Sequence, residues 1–349
     1  MKYKFGICGP FDFEEKSTGG QSVKTREFYY ALCEKVGKEK IVILESTGYK
    51  MNPIGFTVKL IKMLKQCEHT IILPAQNGIR VLAPLCNCFR GKGKLHYCVI
   101  GGWLPQLVKE HKKLLNDISK FNTVLVETTI MKKRLEKAGL SNIYHLRNLK
   151  RIHPVEKVEN CHEPVKLCFF SRVMRERGIE DAVEAVNALN TKERKCIFDI
   201  YGPVVEEYRE DFEKLKQKFG TDIRYKGIAK PENSVKILQN YDLQLFPTRY
   251  RTEGVPGSII DSYFSAVPVI ASRWDGFEDV VKDGVTGIGF ELGNTEELVE
   301  YLERLIEDKI LINSMKKKCI KEAEKYTSER VIENFMTVIG EGGYGDNPV

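Results

Sequence analysis

The chain has 349 residues, 42% hydrophobic and 30% charged, ordinary for a soluble globular protein and long enough for two full cores, since single cores stop growing near about 250–300 residues. Its start, MKYKFGICGPF, is too short an apolar run for a signal peptide, and no stretch nears the roughly 18 apolar residues of a membrane span. Residues 1–160 carry 28 Lys and Arg against 14 Asp and Glu, a net of +14 that leaves −7 for the remainder, so the basic half is expected to meet something anionic.

The first half alternates strand-like and helix-like patterns. A strand is expected at 3–8, then a loop ending in Gly19-Gly20, then a helix over about 22–36 with Phe28, Ala31, Leu32 and Val36 on one face. A glycine turn opening a helix gathers free N–H groups and suits an anion. It is not a nucleoside-triphosphate loop, because Val23 intervenes before Lys24-Thr25 where that motif needs glycine. Residues 56–67 place Phe56, Leu60, Met63, Leu64 and Cys67 on one helical face, with Lys59, Lys62 and Lys65 along the polar side. Such a helix either lies on a membrane surface or packs on a core with its lysines in water. Strands follow at 40–44, 70–73, 95–100, 123–126 and 142–146. Gly101-Gly102-Trp103 ends one of them; the glycines allow a close backbone approach, and Trp103 offers a ring for stacking. Cys86, Cys88, His96 and Cys98 do not have a standard zinc spacing, so no metal is assigned. Ten cysteines without a short-domain framework fit a reducing compartment, and a cytoplasmic location is expected. Basic stripes interleaved with aromatics are missing, which excludes nucleic acid as the anionic partner; an anionic membrane surface or phosphorylated lipid fits.

Residues 151–165 contain two prolines and no periodicity, and read as a linker between domains 1–150 and 166–327. The second domain restarts the pattern, with strands at 166–170, 196–201, 223–226, 243–246 and 267–271. Helices are expected at 178–189, 205–219, 231–239, 258–265, 295–307 and 311–325. A last amphipathic segment within 328–349 is expected to pack back on the first domain. The expected fold class is α/β, two doubly wound Rossmann-like domains facing a cleft, with ligands beyond the carboxyl ends of the strands. Within 252–287, Glu253 precedes a glycine-rich helix start and Asp261 follows eight positions later. The helix start suits phosphate and the carboxylates suit hydroxyls, a combination that suggests a nucleotide-sugar. Pro256 brings no N–H; Gly254, Gly257 and Ser258 remain as donors. Ser258 and Asp261 are also close to a capping-box spacing, so Asp261 has a purely local alternative.

Here the residues amount to a resemblance. Ser171-Arg172-Val173 with Arg177-Gly178, then Phe198 through Pro203, Tyr225 through Ile228, and Glu253 through Asp261 stand in the order and spacing of a retaining glycosyltransferase of GT-B fold, family 4. The chain most resembles the bacterial surface-polysaccharide enzymes. The resemblance implies catalytic roles for Glu253 at the transferred sugar and for Arg172 and Arg177 at the leaving diphosphate. It implies donor contacts from Gly19, Gly20, Gly202, Gly227, Ile228, Gly254, Gly257, Ser258 and Asp261, with Asp261 at the ribose and Gly227-Ile228 at the base. Arg177 stands where the family usually has Lys, and Asp261 where it has Glu. Acceptor contacts are expected from Gly101, Gly102 and Trp103, with no base there. No Asp-x-Asp pair holds a metal, and no cofactor is implied beyond a nucleotide-sugar co-substrate, expected to be a UDP-sugar. The expected acceptor is a glycan or a polyprenyl-phosphate-linked glycan, with peripheral contact at the inner membrane face. Two other classes share these features: a sugar-nucleotide epimerase or phosphorylase-like enzyme, and a non-catalytic nucleotide- or glycan-binding subunit.

Overall fold

The computed structural model describes residues 1–14, 20–47, 49–156, 158, 160–191 and 193–340. Two units emerge, one built from residues 1–152 together with the C-terminal segment from Tyr326, the other from His153–Lys325. In the first, strands β1 (Tyr3–Gly9), β2 (Ile41–Glu45), β3 (Cys67–Ile72), β4 (Lys94–Cys98), β5 (Thr123–Val126) and β6 (Ile143–His145) form one sheet. Its order is β2-β1-β3-β4-β5-β6, with every pair parallel. Successive residues of a strand point to opposite faces, and both faces are apolar here. Phe5, Ile7, Ile71 and Leu125 pack in one core, and Cys8, Ile72, Val124 and Val126 in the other.

The helix Pro53–Gln66 buries Phe56, Leu60, Met63 and Leu64 in that second core. This settles the two readings of residues 56–67: their apolar face is spent inside their own unit. Cys67 belongs to β3, whose start the periodicity placed three residues late. The described part of the C-terminal segment forms the helix Ser328–Val338, which sets Val331, Ile332, Phe335 and Met336 into the first core.

In the second unit, strands β7 (Val165–Phe170), β8 (Cys196–Tyr201), β9 (Ile223–Gly227), β10 (Leu243–Phe246), β11 (Val269–Ser272) and β12 (Gly287–Phe290) are parallel. Their order is β12-β11-β10-β7-β8-β9. The chain runs outward from β7 to β9, then returns to the other side of β7 with β10. That reversal leaves a crevice beyond the carboxyl ends of β7 and β10, where ligands of open α/β sheets bind. The edge strand β12 was not anticipated; its Gly-Ile-Gly-Phe sequence is too short to show alternation. The segment read as a linker is tied to this unit: Val155 N–H donates to Phe264 O at 2.9 Å, and His162 Nδ1 lies 3.0 Å from both carboxylate oxygens of Asp242. No helix among the described residues is long and apolar enough to cross a membrane.

Candidate functional site

The loops that leave β7 and β10 build the crevice of the second unit. After β7 the backbone stays locked to its neighbour: Ser171 N–H donates to Tyr201 O at 3.1 Å and Val173 N–H to Pro203 O at 2.9 Å. Arg172, between them, is exposed and has no carboxylate partner among the described residues. A turn at Arg175–Arg177 then leads through Gly178 into the helix Ile179–Leu189. Gly178 has φ 71°, and a Cβ there would stand 1.8 Å from Pro247 O. Only glycine allows the β7 and β10 loops to approach this closely. Gly202 is under the same constraint, with φ 139° and a Cβ position 1.8 Å from Ser171 O.

That approach brings Arg177 against the β10 loop. Its Nη1 donates to Glu253 Oε2, and both side chains are mostly buried, at 14% and 15% exposure. The guanidinium also lies 5.1 Å from the Tyr250 ring centroid and 5.9 Å from that of Phe246, a cation–π setting that favours a fixed arginine. Its Nε is buried without a partner among the described residues. The loop itself is clamped. Arg249 forks onto Asp181 through Nε at 3.0 Å and Nη2 at 2.5 Å, and the Asp181 hydrogen bond raises the Arg249 pKa. Asp275 N–H donates to Arg251 O at 2.9 Å.

The helix Gly257–Phe264 comes next, with Pro256 at its cap and no side-chain cap hydrogen bond. Ser258 therefore lies inside the helix, two residues past the cap, and the Ser258–Asp261 capping box does not form. The first-turn N–H groups of Gly257 and Ser258 have no helical carbonyl behind them, and a Cβ on Gly257 would meet nothing within 4 Å. Asp261, one turn on, is buried at 6% exposure. Across the sheet, Gly202 N–H donates to Gly227 O at 2.9 Å. Gly227 opens onto free space, and Ile228 beyond it is 60% exposed.

The expected residues of the first unit form their own constellation. Gly19 lies outside the described residues; Gly20 starts the helix Gly20–Val36. From that helix Lys24, 6% exposed, pairs with Glu127, 3% exposed, just beyond β5. The other Glu127 oxygen accepts Gly101 N–H at 3.1 Å. Gly101 is at φ 88° and Gly102 is half-buried. The Trp103 indole N–H donates to Ile100 O at 2.8 Å, and its ring packs against the core. Glu127 went unnoticed in the sequence, where Lys24 was read only against a triphosphate-loop motif; the available signal for the pair was one acidic residue at a strand end within a basic half. His96 hydrogen-bonds to none of Cys86, Cys88 and Cys98. It lies 2.9 Å from His69 and 2.8 Å from Thr123, and no group of three or more His, Cys, Asp or Glu among the described residues could hold a metal ion.

The model of the glycosyl transferases group 1 family matches residues 155–326. The second unit is a group 1 glycosyltransferase domain. The curated relatives include an uncharacterized glycosyltransferase of Methanocaldococcus jannaschii, 27% identical over 169 residues, which are 44% of this chain and 42% of the relative. They also include the poly(glycerol-phosphate) alpha-glucosyltransferase of Bacillus subtilis, 25% identical over 185 residues, 51% of this chain and 26% of the relative. The chain thus spans less than half the length of these relatives. Among solved structures, Anabaena HepE in complex with UDP and glucose superposes with a TM-score of 0.74 at 14% identity, over 97% of this chain and 99% of that one. The glycosyltransferase domain therefore lies in a chain whose whole fold is of the GT-B kind.

Proposed function

We propose that the protein is a retaining glycosyltransferase that moves a sugar from a UDP-sugar to a glycan or polyprenyl-phosphate-linked glycan in surface-polysaccharide synthesis, at the inner face of the membrane. The observation that carries the reading is the Arg177–Glu253 pair at the switch point of the second sheet, beside the N-terminus of Gly257–Phe264. As the anomeric C–O bond breaks, negative charge grows on the diphosphate, and preorganised positive potential there is the largest help a protein gives. In this reading Arg172, exposed and without a described carboxylate partner, and the N–H groups of Gly257 and Ser258 supply it. Arg177 supplies more once phosphate competes with Glu253 for its fork. Glu253 then faces the sugar, holding hydroxyls or steadying positive charge at the anomeric carbon. Asp261 serves the ribose, and Gly227 with Ile228 the base. The leaving phosphate accepts the acceptor's proton, so Gly101, Gly102 and Trp103 need only position it. The complex of the HepE relative with UDP and glucose and the alpha-glucosyltransferase among the relatives support a UDP-sugar donor and an α-linked product.

The test is a thermal-shift panel of UDP, GDP and ADP. A ligand that binds only the folded form stabilises it by about 2.7 kcal/mol at a hundredfold excess over Kd. UDP is expected to raise the melting temperature by several degrees. No shift with any of the three would overturn the reading.

A further inference from the structure

The outward side of the helix Pro53–Gln66 carries a pattern that the fold does not use. With Phe56, Leu60, Met63 and Leu64 buried, stepping at 3.6 residues per turn puts Ile54, Val58, Ile61, Lys62 and Lys65 on the opposite side, and Met51 continues that line just before the cap. Met51 is 90% exposed, Ile54 79% and Val58 60%. Three large apolar side chains so fully in water, in one cluster, mark a contact surface rather than scattered surface hydrophobes. Lys50, Lys59, Lys62 and Lys65 surround them, all exposed, and none has a carboxylate partner among the described residues. From Ser46 to Cys67 the chain contains no Asp or Glu.

We propose that this face docks on an anionic lipid bilayer, with Met51, Ile54 and Val58 entering the headgroup–acyl boundary and the four lysines resting on phosphates. The charge pattern selects this occupant. A second copy would bring like charges together, which is repulsive. Three side chains at one helix end also fall far short of the roughly 800 Å² per partner of a stable protein interface. A bilayer needs no such area: a shallow apolar wedge in a ring of lysines is the chemistry of interfacial helices. The inference deepens the reading of a lipid-linked acceptor, yet its test uses neither donor nor acceptor and can fail independently of UDP binding.

The full chain is to be sedimented with phosphatidylcholine vesicles with and without phosphatidylglycerol, alongside two variants. One is Met51→Ser/Ile54→Ser/Val58→Ser, the other Lys59→Gln/Lys62→Gln/Lys65→Gln. The wild type is expected to bind only the anionic vesicles, and each variant to lose at least about tenfold in binding with an unchanged melting curve, because none of these side chains is buried. Failure of the wild type to bind, or binding retained by both variants, would overturn the proposal. So would a wild-type dimer lost in the serine variant without any effect on vesicle binding, which would assign the face to a second copy.

Discussion

Arg177 and Glu253 are 76 positions apart and form one ion pair, so neither can be removed without disturbing the other. Losing a group that stabilises transition-state charge costs about a hundredfold or more, and residues acting as a unit are not additive. Glu253→Ala and Arg177→Ala are each expected to lower turnover at least about a hundredfold, measured as UDP release from a UDP-sugar with a membrane extract. The double variant is expected to lose little more than the worse single one. Losses that multiply would mean the two residues act separately. Arg172→Ala is expected to cost a similar factor without such coupling, because Arg172 is exposed and pairs with no described carboxylate. Near-normal turnover in that variant would remove Arg172 from the mechanism.

At the scale of elements, β3 and β4 join through a buried contact that is expected to make the first unit sensitive to acid. His69 is 2% exposed and His96 fully buried. Burial, then the charge of His69, then those of Lys94 and Arg90, lower the His96 pKa to about 3. The unfolded chain takes up this proton near pH 6.5. The folded ring stays neutral until about pH 3. Between these values the unfolded state binds more protons, so stability falls as pH falls, by at most about 1.4 kcal/mol per pH unit from this one group. Urea unfolding at stepped pH from 7.5 to 4.5 is expected to show the decline, and His96→Asn to show a shallower one. Equal slopes in the two proteins would exclude His96 as the source. His96 and Cys98 share a strand face, and the His96 nitrogens hydrogen-bond to His69 and Thr123.

At the scale of the molecule, the chain crosses between units twice, and the return is structural. Lys150 N–H donates to Tyr326 O at 2.8 Å, and Ser328 N–H to Lys150 O at 2.9 Å. Phe335 then packs edge-on against Phe28, with ring centroids 5.1 Å apart. Val331, Ile332, Phe335 and Met336 are all buried, and burying each contributes about 1.5–3 kcal/mol. Their sum rivals the 5–15 kcal/mol of a typical domain. A chain ending at Lys325 is therefore expected to lose the first unit's cooperative melt while the second unit keeps its own, a difference that circular dichroism and limited proteolysis would read. Two intact transitions in the truncated chain would show that the helix Ser328–Val338 is dispensable.

Alternation of apolar strands with amphipathic helices made both parallel sheets legible from the sequence, because side-chain period follows backbone geometry locally. Gly178 and Gly202 were legible as members of the motifs that carried the resemblance, Gly202 as an expected donor contact; the close backbone approach that requires glycine at each emerged only in the fold. The contacts that give charged residues a task were not legible. Arg249 and Asp181 are 68 positions apart and Lys24 and Glu127 are 103, and no local pattern pairs a charge with one partner among many. Periodicity likewise identified the apolar side of Pro53–Gln66 but could not say whether lipid or protein would cover it. Tertiary structure decided that by laying the face on the sheet, and left the opposite side, with Met51, Ile54 and Val58, in water. Where chain geometry is local the sequence was sufficient; where burial chooses between partners, only the assembled fold could choose.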